Sequence, residues 1–119
     1  MVKAKYNKGN EGIVLNIINN LYTVLTQDLE QVTIKLATED HPVFKAHFPN
    51  NPILPGFAQI DIIAKDLNDT IVRIEYCKFI AHLRPRDIML CTIATDQNQR
   101  SIKIFKNEKK VSEICYESK

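Results

Sequence analysis

Apolar and polar residues alternate along the second half of the chain as in half-buried β-strands. Four segments show this alternation and are separated by polar turns: IVRIEYCKFIAHL, DIMLCTIAT, RSIKIFK and KKVSEICYE. Two shorter segments, 22–26 and 31–38, flank the polar run QDLE and predict a hairpin. Asn107 and Glu108 lie at the tip of another predicted hairpin. The pattern predicts an antiparallel meander of successive strands.

Two segments have the periodicity of a helix instead. Ile13, Ile17 and Leu21 lie four residues apart and predict a short helix over 13–22. At 100° per residue, a second segment places one apolar stripe on a longer helix over about 56–68, formed by Phe57, Ile60, Ile63, Ala64 and Leu67. One helix against a highly curved antiparallel sheet is the economical α+β arrangement. We expect a single domain over 1–119, with 1–12 as a loose N-terminal segment.

Composition narrows the class of protein. The chain has 119 residues, 45% hydrophobic and 25% charged, and a net charge of +2, which is typical of one globular domain. Lysines are dispersed and do not alternate with aromatic residues, which argues against nucleic acid as the main partner. No signal peptide is visible, and no apolar run approaches the roughly 18 residues of a membrane span.

The cysteines give a further indication of compartment. Cys77, Cys91 and Cys115 are odd in number, widely spaced and without a neighbouring C-x-x-C or Cys/His cluster. This pattern predicts neither a disulfide framework nor a zinc site. We interpret the residues as three reduced thiols, mostly buried in strands, in a cytoplasmic protein.

Between the hairpin and the long helix lies a proline-rich loop over 40–55. Pro49, Pro52 and Pro55 recur every third residue, the repeat of a polyproline II turn. Each proline fixes its own φ and disfavours helical geometry in the residue before it. The pattern predicts a stiff, extended loop that turns at Gly56 into the helix. A loop of this kind is as often architectural as functional.

A lone carboxyl group, Asp61, lies at the edge of the apolar stripe on the long helix. As a surface residue it would pair with Lys65, four positions on. As a functional residue it would be a carboxyl group held near the core and partly desolvated. At the start of the same helix, Gly56 either lets the chain turn or presents backbone N–H groups to a carbonyl oxygen that gains negative charge.

These features together resemble a known signature. The run HPVFKAHFPNNPILPGFAQID is similar to that of 3-hydroxyacyl-(acyl-carrier-protein) dehydratases of the hot-dog fold, approximately G-H-F-P-x-x-P-x-x-P-G followed five residues later by Glu or Asp. The positions that match are His47, Phe48, Pro49, Pro52, Pro55, Gly56 and Asp61. The run from Gln59 to Asp61 resembles the small dehydratases of aryl-polyene-type pathways. A downstream K-F-x-x-x-x-x-P-G-D pattern is supplied by Lys78, Phe79, Pro85 and Asp87, with Arg86 in place of glycine.

The resemblance implies a reaction and its residues. The family removes water from 3-hydroxyacyl thioesters to give trans-2-enoyl thioesters in fatty-acid or polyene-type synthesis, without a metal or redox cofactor, on substrates carried by phosphopantetheine. By this resemblance His47 would remove the α-proton, the N–H of Gly56 would steady the thioester oxygen, and Asp61 of the partner subunit would protonate the departing hydroxyl.

The resemblance also implies partners. In the hot-dog fold the highly curved sheet would wrap one long central helix, and two protomers would join edge to edge as a homodimer or as part of a trimer of dimers. An apolar tunnel for the acyl chain would be lined by Phe48, Pro55, Phe57, Ile60 and Phe79. An acyl carrier protein or acyl-coenzyme A would meet a basic surface, for which the candidates are Lys45, Lys78, Arg84 and Arg86.

Two other functions stay open at this point. A hot-dog thioesterase would use the same thioester cradle for an attacking water, although that branch generally lacks this proline loop. A non-catalytic acyl-binding or partner subunit is favoured by three departures from the family pattern, at Ala46, Lys65 and Arg86. His41 and His82 are interpreted as loop and strand residues outside the catalytic site.

Overall fold

The computed structural model describes residues 18–46 and 48–119 of the chain. The described elements, in chain order, are β1 (Tyr22–Gln27), β2 (Gln31–Leu36), α1 (Pro42–Ala46), α2 (Gly56–Asp66), β3 (Ile71–Phe79), β4 (Ile88–Asp96), β5 (Gln99–Lys106) and β6 (Lys109–Ser118). The predicted loose segment and residues 13–17 of the predicted first helix lie outside the described residues; in the other half Ile18 is helical, and the chain turns over 19–21. The last residue of that predicted helix, Tyr22, begins β1.

The six described strands form one antiparallel sheet in the order β1-β2-β4-β5-β6-β3. Both predicted hairpins are present. Asn107 and Glu108 join β5 to β6 with φ values of 51° and 67°, the two positive φ angles of a type I′ turn. The predicted succession of four strands is wrong at β3, which pairs with β6 at the edge of the sheet. Alternation defines which residues face the core, but it does not specify the neighbouring strand.

The connection over 80–87 explains why β3 and β4 are separated. Instead of forming a hairpin, its backbone bonds to three distant parts of the chain. Ile80 N–H donates to Val111 O at 2.8 Å, Leu54 N–H donates to Leu83 O at 2.7 Å, and Leu36 N–H donates to Asp87 O at 2.9 Å. The connection therefore crosses from β6 to β2 and holds the loop that leads into α2.

Helix α2 fills the concave side of the sheet. All seven residues from Ala58 to Ala64 are buried, as expected for a central helix enclosed on most faces. They pack with inward-facing sheet residues, among them Val32, Ile34, Met89, Cys91, Ile102, Ile104 and Ile114. The helix ends two residues earlier than predicted, because Asn68 has a left-handed φ of 55° that stops a right-handed helix.

An ionic cluster fastens the chain just beyond α2. Arg100 donates from Nε and Nη2 to the two carboxylate oxygens of Asp69, each at 2.9 Å, and the Tyr116 hydroxyl donates to Asp69 Oδ2. The side chain of Asp69 is 7% exposed and that of Arg100 is 24% exposed. Because the guanidinium–carboxylate contact is bidentate, it fixes the orientation of both groups as well as their distance.

The proline-rich loop is less extended than predicted. Its first part forms α1, where His41 acts as the cap: Val43 N–H donates to His41 Nδ1 at 3.1 Å, so the other ring nitrogen, Nε2, donates to Asn19 O at 2.8 Å. Pro42 occupies the first helical position, where its missing N–H costs nothing. His41 thus has a structural role, in agreement with its interpretation as a loop residue.

The second part of the loop turns before it extends. Phe48 has a φ of 57°, and Asn51 N–H donates to Phe48 O at 2.8 Å across a turn that contains Pro49. Phe48 therefore departs from the extended geometry that a following proline favours, and a positive φ is uncommon for a bulky residue. The extended polyproline conformation is confirmed at Pro55, with φ −63° and ψ 153°.

The three cysteines are free and lie in strands, as predicted, but they differ in burial. Cys91 is buried, Cys115 is intermediate and Cys77 is exposed because β3 is an edge strand. The prediction that the thiols are mostly buried is therefore wrong for Cys77. Burial, with a smaller contribution from Asp66, raises the pKa of Cys91 to about 12. Within residues 18–46 and 48–119, no helix has the length and apolar character needed to cross a membrane.

Candidate active site

The start of α2 is built by Pro55 and Gly56. Pro55 is the N-cap in an extended conformation, and its carbonyl accepts from Ala58 N–H at 3.1 Å and Gln59 N–H at 3.2 Å. Gly56 is the first helical residue, so its N–H has no acceptor within the helix and lies at the positive end of the helix dipole. The resemblance predicts that this N–H faces the thioester oxygen, and that role stays a prediction.

Gly56 is required by a close contact rather than by a turn. Its φ is not positive, so backbone geometry alone does not demand glycine. A Cβ atom at this position would lie 2.6 Å from Cε2 and Cζ of Phe79, which is closer than carbon atoms approach. Phe79, the last residue of β3, therefore packs its ring directly on the first turn of α2.

Asp61 is buried, with 3% of the residue exposed, while Lys65 is exposed. The interpretation of Asp61 as a surface residue is therefore wrong, and the interpretation of a carboxyl group held in the core is supported. A buried aspartate among apolar helix neighbours is unusual, since carboxyl groups are mostly exposed in folded proteins. This placement makes Asp61 a candidate site residue.

The periodicity of apolar and polar residues did not predict one buried polar contact near the start of α2. Ser112 Oγ on β6 donates to Gln59 Oε1 at 2.6 Å, and both residues are buried, at 0% and 2% exposed. Ser112 is also the register partner of Phe79. The available signal was two polar residues at inward positions, Gln59 within the buried face of α2 and Ser112 in the inward alternation of β6.

The predicted acyl-pocket residues differ in exposure. Ile60 is buried at 3%, Pro55 is half-buried, and Phe57 is half-buried against the core. Phe79 is 44% exposed and Phe48, at the turn of the loop, is 58% exposed. Of these residues, Phe79 contacts the start of α2, where its ring packs on Gly56. His47 lies outside the described residues, and its role stays a prediction. Ala46, just before it, is an exposed residue at the end of α1.

The predicted basic residues fall in separate places. Arg84 and Arg86 line a depression of about 500 Å³ together with Glu39, Pro49, Pro52 and Pro85. Beside this depression Arg84 Nη1 donates to Asn51 Oδ1, and Arg86 Nη2 lies 3.4 Å from Glu39 Oε1. Lys78 lies on β3 opposite Glu113, and Lys45 lies in the last turn of α1. The two arginines therefore border the proline-rich loop, and the two lysines lie on other elements.

Arg86 also explains one departure from the family pattern. Its φ is 70°, and its N–H donates to Ala37 O at 2.9 Å. Glycine adopts this left-handed conformation at no steric cost, whereas a residue with a Cβ is strained there. Arg86 therefore adopts, with strain, a backbone conformation in which glycine would be unstrained.

The described part of the chain contains no group of three or more His, Cys, Asp or Glu residues that could hold a metal ion. His82, interpreted above as a non-catalytic residue, is exposed in the connection over 80–87.

Solved structures define the class of fold. The dehydratase heterocomplex ApeI:P from Xenorhabdus doucetiae is similar with a TM-score of 0.67 and 24% identity, over 82% of this chain and 96% of that chain. Thioesterase superfamily member 2 from Mus musculus is similar with a TM-score of 0.54 and 8% identity, over 90% of this chain and 92% of that one. A curved antiparallel sheet around a central helix is the hot-dog fold, as predicted.

Sequence relatives define the family within that fold. Residues 25–118 match the ApeI-like family, described as ApeI dehydratase. The 3-hydroxyacyl-[acyl-carrier-protein] dehydratase FabZ of Rickettsia canadensis is 30% identical over 129 aligned positions, covering 89% of this chain and 90% of that protein. The enzyme of the same name from Rickettsia massiliae is 31% identical over 101 residues, covering 72% and 70%. The chain belongs to the ApeI-like dehydratase family, which confirms the predicted resemblance.

Proposed function

We propose that the protein dehydrates 3-hydroxyacyl thioesters to trans-2-enoyl thioesters. The observation that carries this proposal is the family signature in its structural setting: a helix that starts at Gly56 and buries an acidic residue, Asp61, five positions later. Membership of the ApeI-like dehydratase family supports the same reaction.

In the proposed reaction, His47 takes the proton from C2 of the substrate as a general base. The electron pair forms the C2–C3 double bond while the C3–O bond breaks. Asp61 of a second subunit gives its proton to the departing hydroxyl, which leaves as water. The N–H of Gly56 stabilises the negative charge that develops on the thioester oxygen. These steps balance without a metal or redox cofactor.

The edge strand β3 supports a homodimer. Its outer edge has no neighbouring strand in the described sheet, and four large apolar residues on or just beyond it are 36–52% exposed: Val72, Tyr76, Phe79 and Ile80. A second copy that paired along β3 would cover these side chains and bring a second α2 to the same interface. The similar structure from Xenorhabdus doucetiae is a heterocomplex, so a different chain is the competing partner.

We further propose that the substrate arrives on phosphopantetheine, attached to an acyl carrier protein or to coenzyme A, in the cytoplasm. Arg84 and Arg86 line a depression together with Pro49 and Pro52 of the signature, and they suit an acidic carrier. The acyl chain would extend along Phe57, Ile60 and Phe79, which are buried or half-exposed near the start of α2.

Hydration of a crotonyl thioester, the reverse reaction, tests the proposal. We expect water addition without thiol release, and a loss of about 10²–10⁴-fold in kcat for His47→Ala and for Asp61→Asn, the range of general acid–base contributions. His82→Ala is the matched control, since His82 is exposed and not part of the signature. Release of free thiol would identify a thioesterase, and acyl binding without turnover would identify a non-catalytic subunit.

A further inference from the structure

Gln59 and Ser112 form a buried pair that takes no chemical part in the proposed reaction. The role inferred for this pair rests on the proposed function. Four polar or charged residues among the described ones are buried: Gln59, Asp61, Ser112 and Ser118. Of these, Gln59 and Ser112 bond to each other at 2.6 Å across 53 positions of sequence. The pair joins the central helix to β6 within otherwise apolar packing.

Stability alone does not require this pair. Two buried partners that are replaced together by apolar groups of similar shape leave the free energy of unfolding nearly unchanged, whereas removal of one partner leaves the other unsatisfied. What a buried hydrogen bond adds over an apolar contact is direction, because it holds two atoms at a set distance and angle. The pair therefore specifies where α2 lies on the sheet.

The location of the pair connects it to the candidate site. Ser112 is the cross-strand partner of Phe79, and the ring of Phe79 packs on Gly56. Gln59 lies one turn after Gly56 on the same face of α2. The cross-strand pair of Phe79 and Ser112 therefore contacts the whole first turn of α2: Phe79 packs on Gly56, and Ser112 bonds to Gln59.

The two contacts restrain the helix differently. Phe79 is 44% exposed on an edge strand, and a ring contact tolerates sliding. The hydrogen bond is fully buried and does not tolerate rotation of α2 about its axis. Because Gly56 and Asp61 are carried on the same short helix, such a rotation would displace both reacting groups at once. Catalytic groups need placement within about 0.5 Å and 10–20°.

We propose that Gln59 and Ser112 form a positioning pair for the dehydration, holding the first turn of α2 so that its Gly56 N–H meets the thioester in one active site and its Asp61 carboxyl group reaches the site of the second subunit. Neither residue is required to touch the substrate. A misplacement of about 1 Å costs on the order of 10²-fold in rate, so the loss of this bond has a kinetic signature distinct from a loss of stability.

The kinetic test compares Ser112→Ala, the double variant Gln59→Met/Ser112→Ala and the conservative Ser112→Thr. We expect the first two to lower kcat about 10–100-fold with KM changed less than about 3-fold, since positioning acts on the reacting state. The double variant should unfold at or above the native urea midpoint, and Ser112→Thr should restore most of kcat. Ser118→Ala is the matched control, since Ser118 is a buried serine at the other end of β6.

A second readout does not depend on activity. The chain has three glycines, so labelling with ¹⁵N-glycine gives at most three backbone amide signals, of which one belongs to Gly56. We expect the Gly56 signal to shift in Ser112→Ala and in the double variant, and to stay in place in Ser118→Ala. An unshifted Gly56 signal, or a double variant with native kcat, would overturn the inference. If the native protein shows no hydration activity and the Gly56 signal still shifts in Ser112→Ala, the proposed function is refuted. The positioning of Gly56 by the pair then still holds.

Discussion

Two polar clusters hold helix α2 to the same strand, and they differ in almost every physical respect. At the beginning of the helix, Gln59 and Ser112 are neutral, fully buried and joined by one hydrogen bond. Beyond its end, Asp69 binds Arg100 through two hydrogen bonds and accepts a third from Tyr116. The stronger, charged cluster lies away from the signature residues, and the weaker, neutral pair lies beside them.

The difference shows that the strength of a polar contact does not indicate its function. The ionic cluster has a local structural role. Asp69 also donates its backbone N–H to Ala64 O at 2.9 Å, so the cluster closes the end of the helix and fixes the way into β3. The neutral pair has no loop to close. Its location against Phe79 and Gly56 is what gives it a role.

The largest effect on stability is expected when the ionic cluster is broken. Asp69→Asn removes the charge that pairs with the partly buried Arg100, and we expect a loss of about 3 kcal/mol in the free energy of unfolding. Urea denaturation measures this loss. The hydration rate of the folded fraction should stay near native, because the cluster lies outside the site.

The control for Asp69→Asn is Glu75→Gln in the exposed Arg73–Glu75 pair, where the Arg73 side chain is 64% exposed. We expect a loss below about 1 kcal/mol there, as for surface ion pairs in general. Equal losses in the two variants would contradict the distinction between them.

A smaller loss is expected at the beginning of the helix. Gly56→Ala places a methyl group 2.6 Å from the Phe79 ring, and overpacking of this kind costs about 1–3 kcal/mol. The ring is half-exposed and can shift, which favours the lower part of that range. The double variant Gly56→Ala/Phe79→Leu should regain much of the loss in urea denaturation, since leucine lacks the ring atoms that clash. A Gly56→Ala variant with native stability would refute the close contact.

The smallest effect concerns Arg86, in the connection that borders the beginning of α2. Its left-handed φ of 70° is strained for any residue with a Cβ, at a cost of roughly 1–2 kcal/mol. Part of this is offset by the greater freedom of glycine in the unfolded chain. Arg86→Gly should therefore be about 0.5–1 kcal/mol more stable than Arg86→Ala, both of which lack the contact with Glu39. Equal thermal midpoints in the two variants would show that this backbone turn stores no strain.

The sequence predicted those features that depend on local pattern. The start of α2 at Gly56 and the burial of most of its faces followed from the proline–glycine turn and the 3.6-residue periodicity. The signature indicated Asp61 as a site residue, and its burial agrees with that role. Strand positions also followed, because alternation is a property of each strand by itself.

The features that were missed depend on distant contacts. Strand β3 pairs with β6 because of where the connection over 80–87 bonds, and no local pattern encodes that choice. Helix α1 forms because His41 caps it while its ring also binds Asn19, 22 positions earlier. Gln59 and Ser112 are 53 positions apart, so a single sequence gives no sign that they meet.

Both clusters end on β6, at Ser112 and Tyr116, which lie roughly 13 Å apart along an extended strand. A rod attached at two points cannot swing, whereas a rod attached at one point pivots about it. With the Ser112 attachment removed, α2 would turn about the Asp69 end, and each residue would be displaced in proportion to its distance from that pivot. Gly56 is the first residue of α2 and lies farthest from the Asp69 end. The residue whose N–H meets the thioester oxygen in the proposed reaction would therefore be displaced the most.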